Sequence, residues 1–382
     1  MELHEKLIKI KEFVQQETVF CASLFLAVLS AFAVRPDRAY LAYPDYRTLS
    51  LLFCLMLIVA GLRSLGIFEM LGQSLLGWAG SLRSLSLVLV LLCFFSSMII
   101  TNDVTLITFI PFTLLVFRMI RRDERVLTLV VLETIAANLG SMATPIGNPQ
   151  NLYLFSSAGL TMGQFAAAVF PYAGLALLLL VAALVLQKNE PLGKEAGTAV
   201  SAREEEKGKL LVSLLPFLAL LALCLLVVFR VCSYGPVLAC VVAVVLAVNR
   251  KLFRSVDYYL LLTFLCFFIF IGNLKRIPEL NTLLVSLVQG HELLAGILAS
   301  QFISNVPAAI LLSGFTKNIG ALVTAVNLGG LGTLIASLAS LIAFKYYAAE
   351  YPGKKGAFLA VFTLWNGGFL LILCGAAAAL TL

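Results

Sequence analysis

Thr101-Asn102-Asp103-Val104 followed by Asn138-Leu139-Gly140-Ser141-Met142-Ala143-Thr144, and then Ser304-Asn305-Val306-Pro307 followed by Asn327-Leu328-Gly329-Gly330-Leu331-Gly332-Thr333, are two versions of one pattern. Each copy places a polar tip and then a glycine-rich break inside apolar sequence. A duplicated break of this kind is the sequence mark of a membrane protein assembled from two repeats whose interrupted helices meet near the bilayer midplane.

The surroundings of the pattern fix the class. Of 382 residues, 61% are hydrophobic and 12% charged, and the mean hydropathy is +1.02; a soluble domain carries about twice that share of charge. Apolar runs recur from Val19–Val34 to Phe358–Leu382, several near the ~20 residues that cross a bilayer. They lack strand-type alternation, so they read as helices and not as a barrel. The expected fold is an all-α polytopic membrane protein. The net charge of +7 is not a nucleic-acid signal, because the basic residues sit at the ends of apolar runs. Eight cysteines without CxxC spacing read as packing residues. No phosphate loop, HExxH or GxSxG is present, which argues against an enzyme or an ATP-driven pump.

The repeat extends beyond the breaks. Asn138 and Asn327 are 189 residues apart, Asn102 and Asn305 are 203 apart, and Asp45-Tyr46 precedes Asp257-Tyr258 by 212. The expected organisation is an amphipathic cytoplasmic N-terminus over 1–18, a first transmembrane repeat over 19–187 and a charged cytoplasmic linker over 188–209. A connecting transmembrane helix over 210–234 and a second repeat over 235–382 complete it. One connecting helix gives the second repeat the opposite membrane topology, and each repeat is expected to hold a re-entrant helical hairpin and a broken transmembrane helix. Arg118, Arg121, Arg122 and Arg125 after the first tip, against Lys317 alone after the second, place these loops on opposite sides, with the N-terminus cytoplasmic. Arg35, Arg38, Arg47, Lys275 and Arg276 run against that bias.

The chemistry lies in the breaks. Non-helical backbone survives in hydrocarbon only where it is buried in protein or lines a wet cavity. The prolines and glycines of Gly140–Asn151 free carbonyls for a cation and leave N–H groups for an anion. Candidate Na⁺ ligands are Ser97, Thr101, Asn102 and Gly140 in one copy and Ser300, Ser304, Asn305 and Gly329 in the other. Ser97 precedes Thr101 by four residues, as Ser300 precedes Ser304, so each pair shares a helix face. Candidate anion-binding residues are Asn102, Asp103, Thr144, Pro145, Asn148, Asn151, Ser304, Asn305 and Thr333. Asp103 and Glu133 are acidic residues in apolar surroundings and candidate proton carriers; Glu133 has the alternative of pairing with Arg125. Pro111 is expected to close the first hairpin. Glycines 66, 72, 77, 80 and 174 read as close-packing sites.

These motifs, with Ala143-Thr144-Pro145-Ile146-Gly147-Asn148-Pro149-Gln150-Asn151, resemble the ion transporter superfamily that includes divalent-anion/sodium symporters, citrate transporters, arsenite efflux permeases and certain Na⁺/H⁺ antiporters. The resemblance covers nearly the whole chain. It implies a dimer in the cytoplasmic membrane that moves a small anion such as citrate or a dicarboxylate, coupled to Na⁺ or H⁺. No cofactor other than the coupling ion and no nucleic acid is implied. The carboxylate symporters carry Ser-Asn-Thr at both hairpin tips; here Asp103 and Val306 stand where they have threonine, a departure that brings the chain nearer to the arsenite and Na⁺/H⁺ branches.

Overall fold

In the computed structural model, residues 13–14, 17–67, 70, 80–191 and 207–381 are described. Most of the expected amphipathic N-terminus and most of the linker, with Gly72 and Gly77, lie outside them. The described residues form sixteen α-helices: α1 Thr18–Ala33, α2 Tyr46–Ser64, α3 Leu82–Ile100, α4 Asn102–Met119, α5 Asp123–Ser141, α6 Pro149–Ala158, α7 Met162–Val185 and α8 Lys207–Val228; then α9 Tyr234–Asn249, α10 Tyr258–Lys275, α11 Pro278–Val288, α12 Glu292–Ile303, α13 Asn305–Ser313, α14 Ile319–Leu328, α15 Leu338–Glu350 and α16 Lys355–Thr381. Seven segments are long and apolar enough to cross a membrane, eight if α11 and α12, bent by 108°, count as one span. The chain is an all-α polytopic membrane protein.

Local signals explain where these helices start. Asp45 caps α2 by accepting from Thr48 N at 3.0 Å, and Asp257 caps α10 by accepting from Leu260 N at 2.8 Å. The following tyrosines are matched too: Tyr46 Oη donates to Leu41 O at 2.8 Å and Tyr258 Oη to Phe253 O at 2.9 Å. One turn earlier, Asp37 and Asn249 accept from the backbone N–H two residues on, at 3.0 and 3.1 Å. The motif noticed in sequence is therefore a structural unit of cap, tyrosine anchor and preceding 3₁₀ turn.

The matched helices α2 and α10 run antiparallel. Asp45, at the start of α2, and Lys275, at the end of α10, line the same crevice, and Arg276 donates to Asp37 at 2.8 Å and Tyr43 at 3.1 Å. That hydrogen bond holds the Asp37 carboxyl below its ordinary range. Packing crosses between the halves in pairs. Helix α4 lies on α15 and α13 on α6, while α5 meets α16 and α14 meets α7.

Several local expectations need correction. Pro111 does not close the hairpin; α4 continues through it to Met119. The arms α3 and α4 are 19 and 18 residues long, so the first hairpin is not short, whereas α12 and α13 have 12 and 9. Gly66, Gly80 and Gly174 face open space, and the glycines at close approach are others: a Cβ on Gly61 would sit 2.0 Å from Phe217 Cε1. The linker is partly anchored, since Glu190 pairs with Arg122 at 2.9 Å and Arg125 at 3.3 Å, and α8 starts at Lys207.

Asn273, outside the breaks, is fully buried. Its Nδ2 donates to Ser30 Oγ at 3.0 Å and to Tyr40 Oη at 2.8 Å, joining α10 to α1 and the loop after it. Removing one side of a buried hydrogen bond costs about 1–3 kcal/mol. Asn273→Ala is therefore expected to lower the unfolding temperature in detergent by several degrees while ligand affinity stays at the wild-type value; unchanged thermal stability would show that this bridge contributes nothing.

Candidate functional site

Both polar tips adopt the same unusual backbone. Thr101 joins α3 to α4 at φ 71°, ψ 153°, and Ser304 joins α12 to α13 at φ 72°, ψ 154°. This region of φ/ψ space is essentially reserved for glycine and costs of the order of 1–3 kcal/mol for other residues. It persists where surrounding structure over-determines it. Around Thr101 that structure is visible: Asn102 N donates to Gly147 O at 3.2 Å, and Asn102 Oδ1 accepts from Asp103 N at 3.0 Å.

The breaks after α5 and α14 approach these tips through glycine. A Cβ on Gly140 would lie 2.1 Å from Phe94 O and 2.7 Å from Ser97 Oγ; one on Gly329 would lie 2.7 Å from Ser300 Oγ and 2.9 Å from Ala325 O. Thr144 Oγ1 donates to Met98 O, and Thr333 Oγ1 donates to Gln301 O at 3.1 Å. Residues 98 and 301 are themselves 203 apart, so each break is tied to the same point of its own hairpin.

The residues proposed from sequence fall into this arrangement unevenly. Asn102 and Asn305 are both buried, at 5% and 4% exposure. Asn102 Nδ2 donates to Asn138 Oδ1 at 2.9 Å. The Asn305 amide has no protein hydrogen bond among the described residues, and its Nδ2 stands 2.8 Å from where a Cβ of Gly330 would be. Asn148 caps α6, accepting from Asn151 N at 2.9 Å. Asn151 Nδ2 donates to Met142 O and Thr144 O, each at 3.2 Å, and so fixes the first break loop. Pro145 lies in that loop. Thr333 is exposed, unlike half-buried Thr144.

Ser97 and Ser300 donate to backbone carbonyls at 2.8 and 2.7 Å, which leaves their oxygen lone pairs available. Ser304 Oγ reaches Ala336 O at 3.4 Å. Asp103 stands in the first turn of α4 with Oδ1 buried and unpartnered. Glu133 does not pair with Arg125. It accepts from Thr113 Oγ1 at 2.5 Å, and its other oxygen has no partner. It lies more than one turn back along α5 from Asn138, away from the tips. A buried carboxylate oxygen without a donor is costly, and a proton or a cation relieves it.

Sequence reading missed Gln301, Ser337 and Ser340 and used Asn138 and Asn327 only as repeat landmarks. Gln301 Nε2 donates to Gly329 O and Leu331 O, both at 2.9 Å, and its Oε1 accepts from Thr333 N at 2.9 Å. It performs for the second loop what Asn151 performs for the first. The signal was a lone Gln one residue after Ser300 in an apolar helix. Asn138 Oδ1 accepts from Ser337 Oγ at 2.9 Å and its Nδ2 reaches Ser340 Oγ at 3.4 Å. Asn327 Oδ1 accepts from Asn148 Nδ2 at 3.1 Å and its Nδ2 donates to Asn151 Oδ1 at 2.6 Å. These bonds join the two halves at one centre.

From that centre α6 and α13 lead to a crevice of about 640 Å³ lined by Tyr153, Ser156, Ser313, Asp45 and Lys275. Tyr153 Oη and Ser313 Oγ are 2.8 Å apart at its inner wall. The arrangement thus offers amides, hydroxyls and freed carbonyls at the meeting point of two broken helices, with the crevice at the far ends of α6 and α13. It contains no group of three or more metal-ligating acidic, histidine or cysteine side chains among the described residues.

Known proteins are similar to this chain in sequence. An uncharacterised transporter of Methanocaldococcus jannaschii is 32% identical over 330 residues, covering 86% of this chain and 87% of its own length. The inner membrane protein YbiR of Escherichia coli is 33% identical over 321 residues, 83% of this chain and 84% of its own. The human P protein is 31% identical over 166 residues, which is 41% of this chain and 19% of that protein. The family model described as citrate transporter matches residues 17–321. With a family match across most of the chain and a relative named as a transporter that aligns over most of both chains, this multi-pass membrane protein is a transporter and belongs to the citrate transporter family.

Proposed function

We propose that the chain is a secondary active transporter moving a small citrate- or dicarboxylate-like anion across the cytoplasmic membrane, coupled to Na⁺ or H⁺, and working as a homodimer with its N-terminus in the cytoplasm. The observation that carries this reading is the convergence of two matched tips, Thr101-Asn102 and Ser304-Asn305, with two matched glycine breaks at one buried centre. An Asn offers a carbonyl oxygen to a cation and an amide donor to an anion, so ion and anion bind as neighbours. Ser97, Thr101, Asn102 and Gly140, and Ser300, Ser304, Asn305 and Gly329, are the proposed cation ligands. The proposed anion contacts are Asn102, Asp103, Thr144, Pro145, Asn148, Asn151, Ser304, Asn305 and Thr333. A carrier, unlike a channel, opens this centre to one side at a time, and the antiparallel α2 and α10 support halves of inverted topology.

Arsenite efflux or Na⁺/H⁺ exchange is the second reading. It is favoured by one feature: Asp103 at the first tip, with a buried oxygen that no group among the described residues satisfies. The two readings separate in proteoliposomes. A panel of citrate, dicarboxylates and arsenite, run under Na⁺ and pH gradients separately, is expected to give carboxylate flux under at least one gradient; flux of arsenite alone, or Na⁺/H⁺ exchange with no anion moved, selects the second reading. Asp103→Asn keeps the shape and removes the titration. It is expected to abolish the response to a pH gradient while anion exchange continues, and an unchanged pH response removes Asp103 from proton coupling.

A further inference from the structure

The bonds between the halves obey a rule that their chemistry does not require. Asn138 is bound to Ser337 and Ser340, and Asn327 to Asn148 and Asn151. Asn138 and Asn327 are 189 residues apart, as are Asn148 and Ser337, and Asn151 and Ser340. Each asparagine comes from the helix entering one break and grips the N-cap residue and the residue three further on, at the start of the helix leaving the other break. The contact is reciprocal in the way of an isologous interface between identical subunits, here within one chain. All six side chains are buried.

The local geometry shows what this grip controls. Asn138 also accepts from Asn102 Nδ2 at 2.9 Å, so the first tip, the first break and the second half's exit helix share one side chain. Asn148 also donates to Ser141 Oγ at 3.1 Å, and Asn327 Nδ2 to Val323 O at 2.8 Å. A break loop that binds a cation through its carbonyls needs those carbonyls held in place. An asparagine of the opposite half also holds the start of each exit helix.

We propose that Asn138 and Asn327 are positioning residues that form a reciprocal clasp, through which each half fixes the break loop of the other and makes the two loops bind their ligands as one unit. The statement about ligands rests on the transport reading above; the clasp itself does not. Two readouts on full-length protein in nanodiscs keep them apart. Hydrogen exchange needs no ligand: Asn138→Ala is expected to speed exchange about tenfold across residues 334–341, in the opposite half, and Asn327→Ala across residues 146–152, as the lost bond of a locally opening segment predicts. Increases confined to the mutated residue's own half overturn the clasp. Where Asn138→Ala fails to fold, Ser337→Ala breaks the same bond from the other side and is read at residues 139–147.

The second readout is citrate binding titrated with Na⁺ and, separately, with protons. A positioning role shifts the half-saturating cation concentration of both variants about tenfold. A merely structural role lowers thermal stability and leaves that concentration unchanged, and this outcome overturns the proposal for ligand binding. Wild-type protein that binds no anion under any cation overturns the transport reading, and hydrogen exchange still decides the clasp.

Discussion

Replacing Asn305 by alanine is expected to weaken binding of the anion and of the coupling cation together, by about ten- to a hundredfold each, the range for losing a hydrogen bond at a desolvated site. Asn305 is 4% exposed and its amide makes no hydrogen bond to a protein group among the described residues, so its loss strands none of those groups. Folding is then largely preserved, and the effect falls on ligands. Asn102 differs, because it also supports Asn138 and the backbone of Asp103. Asn102→Ala is expected to match the affinity loss and to lower thermal stability as well. Calorimetric titration of both purified variants measures this. Wild-type affinity and ion dependence in both would mean that the tips are packing features.

The second large effect concerns backbone approach. Gly140→Ala places a methyl 2.1 Å from the carbonyl oxygen of Phe94, and Gly329→Ala places one 2.7 Å from Ser300 Oγ. In the first case a backbone carbonyl inside α3 must move. In the second the closest group is a serine side chain, and the Ala325 carbonyl is met less tightly at 2.9 Å. Overpacking of this sort costs about 1–3 kcal/mol, and more where backbone shifts. Gly140→Ala is expected to give the larger loss of folded protein on size-exclusion chromatography and to displace the Ser97 oxygen from the break. Gly329→Ala is expected to fold and to lose cation dependence. Gly174→Ala, facing open space, is the control. Normal yield and ion response in Gly140→Ala would show that the first break and α3 are not in contact as described.

The class of fold and the two breaks were legible because they rest on strong local signals. Composition fixes an apolar helical chain, and proline with glycine in a membrane helix marks a break whatever surrounds it. The matched Asn102 and Asn305, Ser97 and Ser300, and Gly140 and Gly329 all fall at corresponding places in the structure. The cross-half bonds were not legible. Asn138 meets Ser337 across 199 residues, and nothing at either position names the other until the antiparallel packing brings them together. The serines were also disguised, because Ser337 and Ser340 replace what are asparagines in the first copy and read as ordinary small residues of a helix start. The Arg125 alternative for Glu133 failed for the opposite reason. Arg125 lies close in sequence, but its position in α5 aims it at Glu190, and the acid turns instead to Thr113 on α4. Pro111 was overvalued as a terminator, since a buried helix tolerates proline where neighbouring groups accommodate the freed carbonyl.

Concentrative uptake tests the central claim most directly. Proteoliposomes loaded without anion and given an inward gradient of Na⁺ or protons are expected to accumulate labelled citrate or dicarboxylate above its external concentration. Collapse of the gradient by an ionophore is expected to release it, and protein carrying Asn305→Ala to accumulate none. Equilibration without accumulation under either gradient, or accumulation undiminished in the Asn305→Ala protein, would contradict a coupled carrier whose ion and anion meet at the two tips.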